Sequence, residues 1–185
     1  MQTWDDIANS ERWRGLVAFI RNWIGPFDAS LGITQLELDS ILSESGIRLP
    51  AVAREWICLA RHWQQGGLNV WIPPEEIENF DSQVTILSDT EGVTAWYLKT
   101  DDIDVDDPPV FSINCDETQA VAPSLSKFIG AMIINDLLFA NDATGDASKL
   151  DPAATAATLT TFVSAVIGNF YIDSPLESAA IVAYG

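Results

Sequence analysis

The chain has 185 residues, 48% of them hydrophobic and seven of them tryptophan, with a formal net charge of −18. That length and apolar content allow a sizeable core, which excludes global disorder and suits one domain with appendages. The charge disfavours nucleic acid and anionic membrane as partners, and the longest apolar run, Phe128–Ala140, is broken by Asn135 and Asp136 before it could span a bilayer.

The opening MQTWDDIANSERW carries early acids and no apolar h-region, so no secretory signal is expected. Cys58 and Cys115 are isolated, too few for a disulfide framework and without the neighbours of a metal site, which points to a reducing cytoplasm. Glu11–Ile24 places Trp13, Leu16, Val17, Ile20 and Ile24 at helical spacing and ends at Gly25-Pro26. Arg12, Arg14 and Arg21 make this helix basic and amphipathic, but the acids beside it favour packing against the core over a membrane role. A second helix should start at Thr34, where Thr-Gln-Leu-Glu has capping-box spacing, bury Leu36, Ile41 and Leu42, and stop at Gly46. A third should begin at Pro50, bury Val52, Trp56, Leu59, Ala60 and Trp63, and end at Gly66-Gly67.

Strand signals follow at Asn69–Ile72, Gln83–Ser88, Val93–Lys99 and Val110–Ile113, with Asp89–Gly92 as a hairpin turn. Ser124 is placed to cap a helix carrying Leu125, Phe128, Ile129, Met132 and Ile133 on one face. Asn141–Pro152 has the composition of a linker, Ala153–Gly168 that of an Ala-rich helix, and Ile181–Gly185 is a closing strand or a tail. The expected class is therefore α+β: helices on one face of a mostly antiparallel sheet. Residues 1–29 form an N-terminal helical extension, 30–141 the α+β core, and 142–185 a linker with a C-terminal helical extension, all within a single domain.

The most informative stretch is EGVTAWYLKTDDIDVDDPPVF, Glu91–Phe111. A strand-like run gives way to Asp101, Asp102, Asp104, Asp106 and Asp107, then to Pro108-Pro109. The five carboxylates repel one another and cannot all enter a core, so the loop must lie in water, and the prolines stiffen its exit. The expected result is a rigid negative projection suited to a partner. Residues 66–185 hold sixteen of the net negative charges, whereas residues 1–65 hold two. An uneven distribution of this kind attracts basic proteins. Plain solubility and salt adaptation are the competing explanations, the balanced first third weighing against the latter.

The Glu-Gly turn, the strand carrying Trp96, the acidic loop and the Pro-Pro-Val step resemble the SUKH superfamily, as do Ile33–Pro50 with its following helix, Pro74-Glu75-Glu76 and the Ser-Leu-Ser-Lys-Phe run at 124–128. The resemblance covers residues 30–140 and leaves both ends unmatched. It implies a bacterial toxin-immunity protein or, as in the fungal branch, a regulator that binds endogenous proteins.

Motifs for chemistry are sparse. The one histidine, His62, has no paired ligand, and GxSxG, GxGxxG and GxxxxGK[ST] are all missing. Ser124-Leu-Ser-Lys127 matches SxxK without its companion motifs. Asp102, Asp104 and Asp106 alternate like the first ligands of an EF-hand, but Asp107 stands where the turn glycine belongs and Ile113 where the bidentate acid belongs. The expectation is a cytoplasmic protein-binding module with no catalytic residue, cofactor or metal. It would bind and neutralise a cognate basic toxin, such as a nuclease; an adaptor binding endogenous proteins is the alternative. An uncharacterised hydrolase is a third and weaker reading, requiring a carboxylate cleft. The candidate partner-binding residues are Asp101, Asp102, Asp104, Asp106, Asp107, Glu75, Glu76, Trp96 and Trp71. Phe80 and Tyr97 are further candidate anchors, with core packing the competing role for each aromatic. Trp96 and Tyr97 must point to opposite faces of their strand, so at most one belongs to a given core. Oligomeric state is open.

Overall fold

A computed structural model describes residues 2–23, 25–63, 69–114 and 117–133. The linker, helix and closing strand expected after Asn141 lie outside these residues, as do Cys115 and Gly66-Gly67. Four helices come first: α1 Trp4–Ala8, α2 Arg14–Trp23, α3 Gln35–Ser45 and α4 Ala51–Ala60. The strands follow: β1 Asn69–Trp71, β2 Asn79–Phe80, β3 Gln83–Asp89, β4 Thr94–Lys99, β5 Val110–Asn114 and β6 Glu117–Ala122. Residues 125–133 are helical.

The N-terminal helix starts later than its periodicity suggests. Thr3 and Asp6 form a reciprocal capping box that opens a short α1, and the chain then turns before α2. The break lets both Ile7 and Trp13 reach the core. The cap expected at Thr34 is present: Glu37 N–H donates to the Thr34 hydroxyl, and the Glu37 carboxylate accepts from Thr34 N–H at 2.7 Å. Gly46 ends α3 at φ +69°, a left-handed position suited to glycine. The buried face of α3 differs from the expected one. Leu38 and Leu42, four residues apart, are buried, whereas Ile41 is half-buried and Leu36 is 67% exposed. Two residues of helix rotate a side chain by about 200°, which puts Leu36 opposite Leu38.

Helix α4 is the spine of the helical layer, burying Val52, Ala53, Trp56, Cys58, Leu59 and Ala60. Phe27 stacks near Trp56 with centroids 6.4 Å apart, Trp13 approaches from α2 at 5.5 Å, and Trp63 and Trp71 lie 5.9 and 6.1 Å away. Trp4 completes the cluster against Phe27, and its indole N–H donates to the Leu59 carbonyl at 3.1 Å. Each such aromatic pair contributes about 0.5–1.5 kcal/mol beyond area burial. Cys58 lies within this layer, and burial pushes its thiol up from 9.0 to about 11. A thiol that holds its proton more tightly in the folded chain favours folding fully below pH 9 and loses that contribution as pH rises toward 11. Denaturation midpoints should accordingly fall between pH 9 and 11, and a Cys58→Ala variant should show a smaller fall over the same window.

The sheet is antiparallel throughout, in the order β1-β3-β4-β5-β6, with β2 pairing β3. The α+β class read from the sequence is the one observed. A bulge between Thr85 and Leu87 lets consecutive Ile86 and Leu87 both be buried. Trp96 and Tyr97 lie on opposite faces: Trp96 sits 6.1 Å from Phe128 of the 125–133 helix, while Tyr97 stacks on Phe111 at 5.8 Å. In the β3–β4 turn the Asp89 carboxylate accepts N–H bonds from Val93 at 2.8 Å and Thr94 at 2.9 Å. Partial desolvation pushes its pKa up, but these donors outweigh that and hold the carboxyl below its ordinary value.

Candidate functional site

The acidic loop is exposed, as expected, but it is fastened to the body along its second half. Asp104 pairs with Arg48, and Asp106 pairs with Arg12. Arg12 also donates to Glu55 Oε2 at 2.7 Å, and the same oxygen accepts the Trp13 indole N–H at 2.7 Å. The Asp106 carbonyl accepts the Val52 N–H at 3.2 Å, satisfying a donor at the start of α4 that Pro50 has no side chain to cap.

Asp107 performs the capping expected of Ser124. Its Oδ1 accepts the Ser126 N–H at 2.8 Å and its Oδ2 accepts the Ser126 hydroxyl at 2.6 Å. The Ser124 hydroxyl is buried and has no hydrogen-bond partner among the described residues. A carboxylate beats a hydroxyl here because it brings a full charge to the positive end of the helix and two acceptor oxygens to one residue. Asp104, Asp106 and Asp107 therefore have work within the fold. Asp101 and Asp102 have no ion-pair or hydrogen-bond partner for their carboxylates among the described residues.

The free end of the loop adjoins a second projection. Thr100 donates through its N–H to the Ser82 carbonyl at 3.0 Å, tying the start of the loop to the β2–β3 turn. Phe80 pairs with Gln83, so the turn has two central residues, Asp81 and Ser82, both left-handed at φ +48° and +65°. Asn-Gly is the pair that suits such a turn; Asp-Ser is a strained choice. Replacing Asp81 with Asn and Ser82 with Gly should stabilise the fold by about 1 kcal/mol, read as a raised urea midpoint. An unchanged or lowered midpoint would mean that Ser82 makes compensating contacts.

Phe80, just before the turn, is 73% exposed. Glu76 and Glu78 precede Phe80 closely in the chain, Asp81 follows it, and Asp101 and Asp102 follow Thr100, which is tied to Ser82; none of these carboxylates has a partner among the described residues. The arrangement is an exposed aromatic with several carboxylates near it in sequence, and Lys99, opposite Gln83, is the cation in the same row of the sheet. Its geometry suits a basic partner that carries an apolar pocket.

The other sequence candidates divide. Glu75 is spoken for by Arg61. Trp71 is half-buried against Trp56, and Trp96 is half-buried against Phe128, so both rings pack within the fold. Tyr97 is buried. Phe80 alone of the candidate anchors is largely exposed. Its strand neighbours gave little warning, since β2 is only two residues long and its Asn79-Phe80-Asp81-Ser82 setting resembles a loop.

His62 is exposed, and its backbone N–H donates to the Leu31 carbonyl at 2.7 Å. Among the described residues no group of His, Cys, Asp and Glu is placed to hold a metal ion, and no helix is long and apolar enough to cross a membrane. Comparison of the chain with family models, curated proteins and solved structures finds no match.

Proposed function

We propose that this protein is an acidic binding module that captures and neutralises a basic protein toxin, such as a nuclease, as the likeness to the SUKH superfamily implies. The observation that carries the reading is the exposed Phe80 near Glu76, Glu78, Asp81, Asp101 and Asp102 in sequence and strand pairing, whose carboxylates have no partner among the described residues. A nuclease exposes a basic surface to its substrate, and an acidic protein can cover that surface as a nucleic acid would. The carboxylates steer the encounter and the aromatic ring supplies the desolvated contact. Asp104, Asp106 and Asp107 hold the acidic loop against the rest of the fold.

A pull-down from host lysate, washed at low and high salt, tests the reading. It should yield one basic protein that elutes with salt and whose toxic activity is lost in the complex. Phe80→Ala should weaken that complex tenfold or more, about 1.4 kcal/mol. Changing Glu78, Asp81, Asp101 and Asp102 to their amides should slow association and flatten its salt dependence. Unaltered kinetics in both variants would place the interface elsewhere. Recovery of several housekeeping proteins would favour an adaptor instead.

A further inference from the structure

A cavity of about 340 Å³ lies between α4, β1, β3 and the 125–133 helix. It is partly open to solvent, and its volume falls within the roughly 300–1,000 Å³ of ligand pockets. Its walls are mostly apolar, including Ala53, Ile86, Leu125 and Ile129, and three tryptophans, Trp56, Trp63 and Trp71, also line it.

The side-chain polar groups of the lining residues are all donors: the indole N–H groups of Trp56, Trp63 and Trp71 and the guanidinium of Arg61. The indole N–H groups of Trp4 and Trp13 have acceptors, but those of Trp56, Trp63 and Trp71 have none among the described residues. Trp56 is only 5% exposed overall, yet its indole nitrogen is not one of the buried side-chain atoms that lack a partner, so this N–H reaches accessible space. Arg61 also lines the cavity; one of its terminal nitrogens donates to Glu75, and its other N–H groups have no acceptor among the described residues. The charge of Arg61 is already paired with that of Glu75, so the wall offers no unpaired charge that would favour a charged ligand.

We propose that this cavity binds an uncharged small molecule with an aromatic or aliphatic body and one hydrogen-bond acceptor, such as a ketone, amide or ester. The apolar walls would take the body, and an unpartnered indole or guanidinium N–H would take the acceptor. A bicyclic ketone of about a dozen heavy atoms is of suitable size.

Equilibrium dialysis of the full chain against 2-acetylnaphthalene, naphthalene and 2-naphthoate tests the site. The ketone should bind at least tenfold more tightly than either the hydrocarbon or the carboxylate. Ala53→Leu, which adds bulk to the cavity wall, should weaken the ketone tenfold or more with the denaturation midpoint maintained. Ala60→Val, on the same wall, serves the same purpose should Ala53→Leu fold poorly. The proposal is overturned by no ketone binding up to its solubility limit, by equal binding of the three probes, or by undiminished binding in a folded wall variant.

Discussion

Gly32→Ala should destabilise the fold by about 3 kcal/mol or more, the range of severe overpacking. The backbone at Gly32 is extended, with φ −104°, so the objection is space and not conformation. A Cβ there would lie 1.8 Å from the Cys58 carbonyl oxygen and 2.9 Å from both the Cys58 carbonyl carbon and Trp4 Cδ1. Two of those atoms are backbone of α4, which cannot turn aside as a flexible side chain would. The neighbouring Leu31 carbonyl is bonded to His62 N–H at 2.7 Å, so the segment is held close to the end of α4. Gly15→Ala provides the contrast. Gly15 lies in α2 with nothing within 4 Å of its added Cβ, and alanine there should stabilise by about 0.5–1 kcal/mol. Urea midpoints should therefore move in opposite directions, and an unchanged Gly32→Ala midpoint would refute the close approach.

The second large effect belongs to Glu55. Truncation to alanine removes the acceptor of both Arg12 and the buried Trp13 indole, leaving one donor stranded in the aromatic layer and one cation with a single partner. The expected cost is about 3 kcal/mol, since a stranded buried donor loses its desolvation energy as well as its bond. Glu55→Gln retains an acceptor oxygen and should cost less. Because Arg12 also holds Asp106, the loss should spread to the acidic loop. A double-mutant cycle between Glu55→Ala and Asp106→Ala should give a coupling of about 0.5 kcal/mol or more. Strict additivity would show that Arg12 serves its two carboxylates independently.

Much of this architecture is legible where the signal is local. Thr34 and Glu37 stand three residues apart and form the expected box, Gly46 closes the same helix, and the alternation through Trp96 and Tyr97 fixes which ring faces which side. The parts that escape are those decided by distant residues. β6, Glu117–Ala122, has few β-branched residues and takes its strand form from pairing with β5. The bulge at Ile86 arises from the fit of β3 to β4, and no period-two pattern announces it. The candidate site is split in the same way. Five aspartates mark an acidic loop in any sequence, but which of them remain unpaired depends on Arg12, Arg48 and Ser126, up to 94 residues away in the chain. Charge counting locates the loop; only the pairing transfers attention from Asp104, Asp106 and Asp107 to the end beside Phe80.

The cap that Asp107 lends to the 125–133 helix has a bearing on the order of folding. Ser124 leaves the first turn of that helix without a side-chain acceptor of its own, and the missing acceptor arrives only with the end of the acidic loop. The loop in turn is positioned by β4 and β5, which bracket it. This helix should therefore consolidate after the hairpins, because nucleating it alone fixes several dihedrals for little return. Conversely, its release would be a local opening that frees Asp107 from Ser126 while the sheet registers persist.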